Sequence, residues 1–314
     1  MDKKTAPIAG TIQRNNLLTT APAPMTRASC VPIGDKAPSA ALYSGKSIGC
    51  ESIVAVVSRD TSDALLNEAQ RLSHYPASSL ICLSWHNTAG IGLLNEGSWK
   101  IFHANVLLSG SQFAPTVSWS PYAGRGGMMY FTVSEAQKLF NIDITALQDR
   151  SVCARQLLGS TWFDMFDQLV SSKDDATMLR IIKHHFPNKN HPQNSEKNLQ
   201  YVGRLWVESL ISQAESWESS LSPRQVERKI KAASGRSLRE WQQLVRTEEV
   251  FFKVAQDKQK SLKNVDWSSL AIDMGFSDQA HLIRAVKRIT GFPPAEFTRR
   301  FIQDESFWIY RLWA

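Results

Sequence analysis

Two kinds of hydrophobic patterning divide the chain. From about 42 to 133, short apolar or alternating runs are separated by Gly, Pro, Asn and Ser, which predicts a small antiparallel sheet or barrel. The runs are SIVAVVS (52–58), SLICLSW (79–85), GIGLL (90–94), WKIFHANVLLSG (99–110) and GGMMYFTV (126–133). Inside this region, DTSDALLNEAQRL (60–72) has the pattern of a helix. From about 134 to 186, and again after 199, apolar residues recur at helical spacing.

These patterns predict an α+β protein of two domains. Residues 1–41 are rich in Thr, Ala, Pro and Ser without apolar periodicity, which predicts a flexible leader. Residues 187–198 (PNKNHPQNSEKN) contain two prolines and four asparagines and predict a linker. We therefore expect a domain with a mixed sheet or barrel plus helices over 42–186, to which a role is assigned only through a family resemblance. An all-α domain is expected over 199–314.

Composition excludes several classes of protein. The chain is 43% hydrophobic and 21% charged, which is ordinary for a globular protein and excludes disorder throughout. No run approaches the roughly 18 uncharged apolar residues that a membrane helix needs, and no secretory signal is visible. The four cysteines lie far apart without a CxxC pair, which favours neither a zinc site nor a disulfide scaffold. We expect a cytoplasmic protein that makes no contact with a membrane.

Positive charge is concentrated in the second predicted domain. The chain has 36 Lys and Arg against 29 Asp and Glu, a net charge of +7 that suggests an anionic partner. Two clusters of cations stand out, with few acids between their members. The first contains Arg224, Arg228, Lys229, Lys231, Arg236 and Arg239, and the second contains Arg284, Lys287, Arg288, Arg299 and Arg300.

An internal repeat relates these two clusters. Residues 222–241 align with 278–297 at an offset of 56 residues, so that the basic and apolar positions coincide. The aligned pairs are Arg228 with Arg284, Lys231 with Lys287, Gly235 with Gly291, Val226 with Leu282 and Ile230 with Val286. The apolar positions form one buried helix stripe, which leaves the cations on the opposite face. Each helix is predicted to end at its glycine.

The sequence before the second copy predicts a helix-turn-helix. In WSSLAIDMGFSDQAHLIRAVKRITG, small Ala271 allows two helices to approach and Gly275 makes the turn. Ser277 is predicted to cap the following helix, whose basic face would enter a DNA major groove. The first copy is preceded by LISQAESWESSL, which lacks such a glycine.

The segment GFSDQAHLIRAVKRITGFPPAEFTRR closely resembles the C-terminal signature of the AraC/XylS family of bacterial transcription regulators. LSPRQVERKIKAASGRSL resembles the first recognition helix of that family. The resemblance covers roughly 205–300 and implies two helix-turn-helix units joined by a long helix, here about 238–255. It also implies an N-terminal domain, often a cupin-like barrel, that senses a small molecule or mediates dimerisation.

The resemblance assigns DNA-binding positions residue by residue. The first recognition helix offers Arg224, Gln225, Glu227 and Arg228, and the second offers Gln279, Ala280, His281, Ile283 and Arg284. Arg can bind guanine, Gln adenine and Glu cytosine, while Ala or Ile can contact a thymine methyl. The expected phosphate contacts are Lys231, Lys287, Arg288 and Arg299. Glu227 has the simpler alternative of pairing with Lys231 four residues later.

Little in the sequence of the first predicted domain indicates enzymatic activity. His74, His86 and His103 stand singly rather than as a metal-binding HxH pair, and no GxSxG elbow occurs. GRGG (124–127) lacks the Lys that completes a phosphate loop. We predict no cofactor, no metal and no enzymatic activity. A ligand, if bound, would lie among aromatic residues of the barrel interior: Trp85, Trp99, Phe102, Phe113, Trp119 and Tyr130.

These observations predict a sequence-specific regulator that binds double-stranded DNA through two recognition helices. By family analogy we expect an activator, with RNA polymerase, a small-molecule effector and a second copy of the chain as further partners. One alternative is an N-terminal sensor or enzyme for which DNA binding is secondary. Another is a regulator that works chiefly through protein contacts, with a weakened first unit.

Overall fold

A computed structural model describes residues 38–67, 69–95, 97–187, 202–256 and 267–313. The predicted leader lies outside these ranges up to residue 37, and strand β1 begins at Ser39, within the last residues assigned to that leader. The predicted linker lies outside them from residue 188 onward. The strands are β1 (Ser39–Ser44), β2 (Ala55–Asp60), β3 (Leu72–Tyr75), β4 (Ile81–His86), β5 (Ile91–Asn95), β6 (Ser98–Phe102), β7 (Val106–Ser109), β8 (Thr116–Trp119), β9 (Arg125–Phe131) and β10 (Ser151–Cys153).

The strands form two sheets in which neighbours run antiparallel. One sheet has the order β1-β2-β9-β4-β7-β10, and the other has the order β3-β8-β5-β6. Along β4, Ile81, Leu83 and Trp85 are buried and alternate with half-buried residues, as expected for a strand with two different faces. Gly127 on β9 permits the close approach of Trp85, since a Cβ at 127 would lie 2.3 Å from its ring. The GRGG segment is therefore part of a sheet.

Short helices cover the larger sheet. They are α1 (Val133–Phe140), α2 (Ala154–Leu157), α3 (Phe163–Ser171) and α4 (Asp175–His185). Thr132 caps α1 by accepting from the Glu135 backbone N–H, at the point where the sequence pattern changes from strand to helix.

The helix predicted over 60–72 is wrong. The segment forms turns and a single 3-10 turn at Ala69–Arg71. Asp60 accepts from the Ser62 backbone N–H at 2.9 Å, and Asn67 and Gln70 bond each other's backbone. Side chains of these types compete with helical hydrogen bonds. Leu65 is 98% exposed, so the apolar residues of the segment do not supply a buried stripe.

The second part of the chain is helical throughout its described residues. Its helices are α5 (Val202–Glu218), α6 (Pro223–Ser234), α7 (Leu238–Gln256), α8 (Trp267–Asp273), α9 (Gln279–Thr290), α10 (Pro294–Gln303) and α11 (Trp308–Trp313). The α+β class and the order sheet-then-helices are confirmed. No helix in the described ranges is long and apolar enough to cross a membrane.

The hydrophobic core joins the two parts. One cluster extends from the larger sheet and α1–α4 to Val226, Ile230 and Trp241 of the helical region. A second combines Val57 and Tyr130 of the sheet with the C-terminal residues from 297 to 310. A third lies within the last helices and includes Ala271, as its small size predicted. The first domain therefore packs against both ends of the second.

Candidate nucleic-acid interface

Helices α6 and α9 are structural copies of each other. Each has twelve residues, and their first and last residues are related by the offset of 56 found in the sequence. Gly235 and Gly291 follow them with φ of +82°, and each glycine N–H bonds a lysine carbonyl, Lys231 or Lys287, at 2.8 Å. A left-handed residue at this position closes a helix, and glycine adopts that conformation without a steric cost.

The N-terminal caps also correspond, with one correction to the prediction. Ser222 caps α6 in a capping box with Gln225, and Asp278 rather than Ser277 caps α9. The Asp278 carboxylate accepts from the His281 backbone N–H at 2.6 Å. That bond, together with the Ser277 hydroxyl, lowers the pKa of Asp278. Ser and Asp are both good cap residues, so the choice between neighbours depends on helix register.

Both units have the helix-turn-helix arrangement, but their turns differ. Between α8 and α9, Gly275 takes a φ of +70° and Ala271 is 1% exposed beneath the turn. Between α5 and α6, Leu221 and Ser220 both donate backbone bonds to the Trp217 carbonyl, and no residue there has a positive φ. The first turn therefore forms without the glycine that the sequence lacks.

The first recognition helix exposes four cations, of which Lys229 lies over the Trp217 ring. Arg224, Arg228 and Lys231 are exposed on the face opposite Val226 and Ile230. Gln225 is also exposed, but its Oε1 accepts from the Ser222 backbone N–H and hydroxyl, both at 2.9 Å. Glu227 lies 3.7 Å from Lys231, which is the intrahelical pair anticipated as the simpler alternative.

The second recognition helix presents a similar face. Ala280, Arg284, Lys287 and Arg288 are exposed, and Ile283 is half-buried. Two further residues of this face have local partners at its N-terminal end. Gln279 Oε1 accepts from Ser268 Oγ at 3.2 Å, and His281 Nδ1 lies 3.2 Å from Ser277 Oγ.

Three arginines of the predicted basic clusters contact acidic residues instead of standing alone. Arg299 is exposed and paired with Glu296 at 2.8 Å. Arg300 is fully buried between Glu296 at 2.6 Å and Asp304 at 2.9 Å, and so is absent from the surface. Arg236 pairs with Asp149 of the first domain. The acids four residues before and after Arg300 are the sequence signal for its buried pairing.

Residues 218–300 match the sequence model of a helix-turn-helix domain family. This region is an AraC-type DNA-binding domain. The resemblance to AraC/XylS transcription regulators is thereby confirmed for the C-terminal part of the chain. No curated protein sequence matches the chain.

Two solved structures resemble most of the chain weakly. An apo variant of ToxT from Vibrio cholerae has 13% sequence identity and a TM-score of 0.40, and the match covers 79% of this chain and 97% of that one. The AraC-like transcriptional activator CuxR has 7% identity and a TM-score of 0.20, with 84% and 82% covered. At these values no residue of this chain takes a role from either structure.

The first domain holds the AraC-type domain at the C-terminal ends of both recognition helices. Gln148 Nε2 donates to the Ser234 carbonyl at 3.0 Å, and the Ala77 N–H donates to the Ile289 carbonyl at 2.9 Å. Phe113 packs edge-on against Trp241, with ring centroids 4.9 Å apart. These contacts leave the exposed cations of α6 and α9 uncovered. The sequence does not predict these interdomain contacts, because each joins residues that are far apart in the chain.

A cavity of about 240 Å³ lies between the two domains. Sheet residues Cys82, Ser84, Trp85, Met128 and Tyr130 line one side of it. Gly203 of α5, Glu248 and Ile289 of the AraC-type domain, and Trp308 and Trp313 after that domain also line it. Of the aromatic residues expected around a ligand, Trp85 and Tyr130 do line the cavity. Phe113 contacts Trp241 instead, and Trp99 lies beside Trp119 with ring centroids 6.4 Å apart.

Burial shifts the pKa values of two groups that line the cavity. Burial raises the pKa of Cys82 to about 12, which keeps the thiol protonated and a poor nucleophile. Burial also lowers the pKa of His86. Within the described ranges, no three His, Cys, Asp or Glu side chains gather as a metal site.

Proposed function

We propose that this protein is a sequence-specific transcriptional activator that inserts α6 and α9 into successive major-groove segments on one face of a DNA duplex. The observation that carries the proposal is the correspondence of the two helices, which have the same length, a glycine cap at the same C-terminal position and exposed cations on the same face. Two such helices read DNA best when their target segments are about one helical turn, roughly 34 Å, apart.

The proposal divides the exposed residues by chemistry. Arg224, Arg228 and Arg284 would read bases, because a guanidinium can bond guanine through two hydrogen bonds. The other candidate base contacts are Gln225, Glu227, Gln279, Ala280, His281 and Ile283. Lys231, Lys287, Arg288 and Arg299 would contact phosphates, which supply affinity without sequence information. Gln225, Glu227 and Arg299 would have to exchange their present partners for DNA.

Selection of bound duplexes from a random pool by the full-length protein tests this proposal. We expect a motif of two short blocks about ten base pairs apart. Arg228→Ala should relax one block and Arg284→Ala the other. A single block that is unaffected by Arg228→Ala would show that only the second unit reads bases. Enrichment of no sequence would contradict the proposal.

We propose in addition that the first domain senses a small, largely apolar molecule in the interdomain cavity. The specific support is that sheet residues and residues of the AraC-type domain line the same cavity, so that an occupant would contact both. Ligands found by screening full-length protein should raise its melting temperature. Ser84→Phe, which fills the cavity from β4, should abolish that shift. An equal shift in this variant would locate the ligand elsewhere.

The proposal gives the first domain no catalytic role and places the protein in the bacterial cytoplasm. RNA polymerase and a second copy of the chain are its further proposed partners. Sedimentation of the full-length protein with and without the selected duplex tests dimerisation. Transcription from a promoter that carries the selected motif distinguishes activation from repression.

A further inference from the structure

The segment between β3 and β4 connects the two domains. Within this bridging segment (residues 77–79), the Ala77 N–H donates to the Ile289 carbonyl at the end of α9. Ser78 bonds Gln112 of the first domain through two backbone hydrogen bonds of 2.8 Å. The Ser79 backbone N–H donates to Glu248 Oε1 at 2.9 Å, and its hydroxyl lies 3.2 Å from Oε2. Successive residues thus alternate between the two domains.

Glu248 belongs to α7, the long helix that joins the two helix-turn-helix units. Its carboxylate therefore connects the first domain to the element that sets the separation of α6 and α9. Gly203 on α5 covers the contact so closely that an added Cβ would lie 2.7 Å from both Glu248 Oε2 and Ser79 Oγ. On the other side, the Ser79 carbonyl accepts from buried Ser111 at 2.8 Å. Both domains therefore contribute to the contact, which lies in the wall of the interdomain cavity.

No cation pairs with Glu248 among the residues that the structure describes. The neighbouring acid Glu249 lies 3.6 Å from Arg204 on α5. Burial raises the pKa of Glu248 to about 7, and the charge of Glu249 adds to the increase. The hydrogen bonds from Ser79 and Ser78 act in the opposite direction and lower it. A carboxylate in such a position weakens the contact when it ionises, because its charge is partly removed from water.

We propose that Glu248 is a positioning residue through which the first domain sets how the two recognition helices are presented to DNA. The proposal rests on DNA binding by both units. In the docked form, in which Ser79 and Glu248 are in contact, the cations of α6 and α9 are exposed. This form is therefore able to bind DNA. Holding both units in place before binding removes part of the ordering cost, and loss of the contact should therefore weaken two-site binding selectively.

Hydrogen exchange of the full-length protein tests the contact without DNA. Because the pKa of Glu248 is raised when it contacts Ser79, the docked form keeps a proton on Glu248 that the undocked form has released. Docking therefore weakens as pH rises. After correction for intrinsic exchange, the Ser79 amide of the wild type should exchange faster by up to about 10-fold per pH unit up to pH 7, and level off above it. Glu248→Gln should abolish this response, and the neighbouring control Glu249→Gln should retain it. A response retained in Glu248→Gln, or lost in Glu249→Gln, would overturn the assignment.

Duplex binding tests the consequence for DNA. The probes are a selected two-block duplex and the same duplex with one block scrambled, measured at constant salt and pH 6, below the raised pKa of Glu248. Glu248→Ala should reduce the ratio of two-block to single-block affinity at least 10-fold. Its affinity for the single-block duplex should stay within about twofold of the wild type. Glu249→Ala measures the effect on affinity of removing one negative charge, for which both values are corrected. Glu248→Gln, which keeps an acceptor for the Ser79 N–H, should restore most of the advantage.

Ser79→Ala offers a second, milder variant, because it removes the hydroxyl and keeps the backbone donor. It should lie between the wild type and Glu248→Ala. Equal weakening on both duplexes, or an unchanged advantage despite faster exchange at Ser79, would refute positioning by Glu248 and leave DNA binding intact. Absence of any selected duplex would refute the proposed function instead, while the exchange measurement would still decide whether the contact exists.

Discussion

Ser234 and Thr290 lie 56 residues apart and make equivalent contacts at the ends of the two recognition helices. Each hydroxyl lies close to two carbonyl oxygens, one four residues earlier and one two residues later. The distances are 2.8 and 3.0 Å from Ser234 to Ile230 and Arg236, and 2.9 and 3.0 Å from Thr290 to Val286 and Phe292. The repeat therefore extends from the basic face to the polar chemistry that ends each helix.

Ser234 has an additional role that makes its removal costly. Its buried oxygen accepts from Trp241 Nε1 at 2.9 Å, and Trp241 is fully buried against the first domain. Ser234→Ala should lower the free energy of unfolding by about 1–3 kcal/mol, because the indole N–H loses its partner. Urea unfolding measures the change. Ser216→Ala is the control, since the hydroxyl of exposed Ser216 donates to the Gln213 carbonyl and binds no buried indole. An equal cost there would contradict the explanation.

The glycines after the helices provide a graded series of variants. Gly235, Gly275 and Gly291 all have a φ between +70° and +82°, so alanine at each should cost about 1–2 kcal/mol from the backbone alone. An added Cβ meets nothing within 4 Å at Gly275, Pro115 at 3.3 Å at Gly291 and Gln148 at 2.7 Å at Gly235. The measured loss of stability should increase in that order. A loss of stability at Gly235 no larger than that at Gly275 would show that the Gln148 side chain moves aside without an energetic cost.

The two cations of α9 should respond differently to truncation. Arg284→Ala should weaken binding to the selected duplex by about 1–3 kcal/mol and relax preference at one base position. Lys287→Ala should weaken all duplexes alike and reduce the slope of log affinity against log salt by about one. Binding measured at several salt concentrations, on the selected motif and single-base variants, separates the two effects. Identical behaviour of the two variants would mean that the assignment of base and phosphate contacts is wrong.

The DNA-binding helices were predictable because their signals are local. Pro223 and Gly235 bound α6 within the sequence that forms it, and the repeat at Gly291 reinforces the same interpretation. The helix wrongly predicted over 60–72 contains apolar residues with helical spacing, but Leu65 in the middle of the segment is 98% exposed. Periodicity predicts a helix only where a neighbouring element buries its apolar face.

The contacts between the domains could not be predicted in the same way. The bond from Gln148 to the Ser234 carbonyl joins residues 86 apart, and that from Ser79 to Glu248 joins residues 169 apart. Nothing in the local sequence of either partner specifies the other. Arg236 illustrates the consequence. The sequence places it in a predicted DNA-binding cluster, whereas in the structure it pairs with Asp149 of the first domain.

His74 should make the stability of the protein depend on pH. Its ring is buried in a stack with Phe307, whose centroid lies 4.7 Å away, and burial, with a smaller contribution from Arg300, lowers the pKa of His74 to about 3. Between pH 6.5 and about 3 the unfolded chain therefore binds a proton that the folded chain does not. The free energy of unfolding should fall as pH falls, by up to about 1.4 kcal/mol per pH unit from this group. His74→Phe should remove that part of the slope in urea unfolding from pH 7 to 4.5, whatever its effect on absolute stability. Exposed His184, changed to Gln, is the control, and a slope unchanged in His74→Phe would show that other groups determine the acid sensitivity.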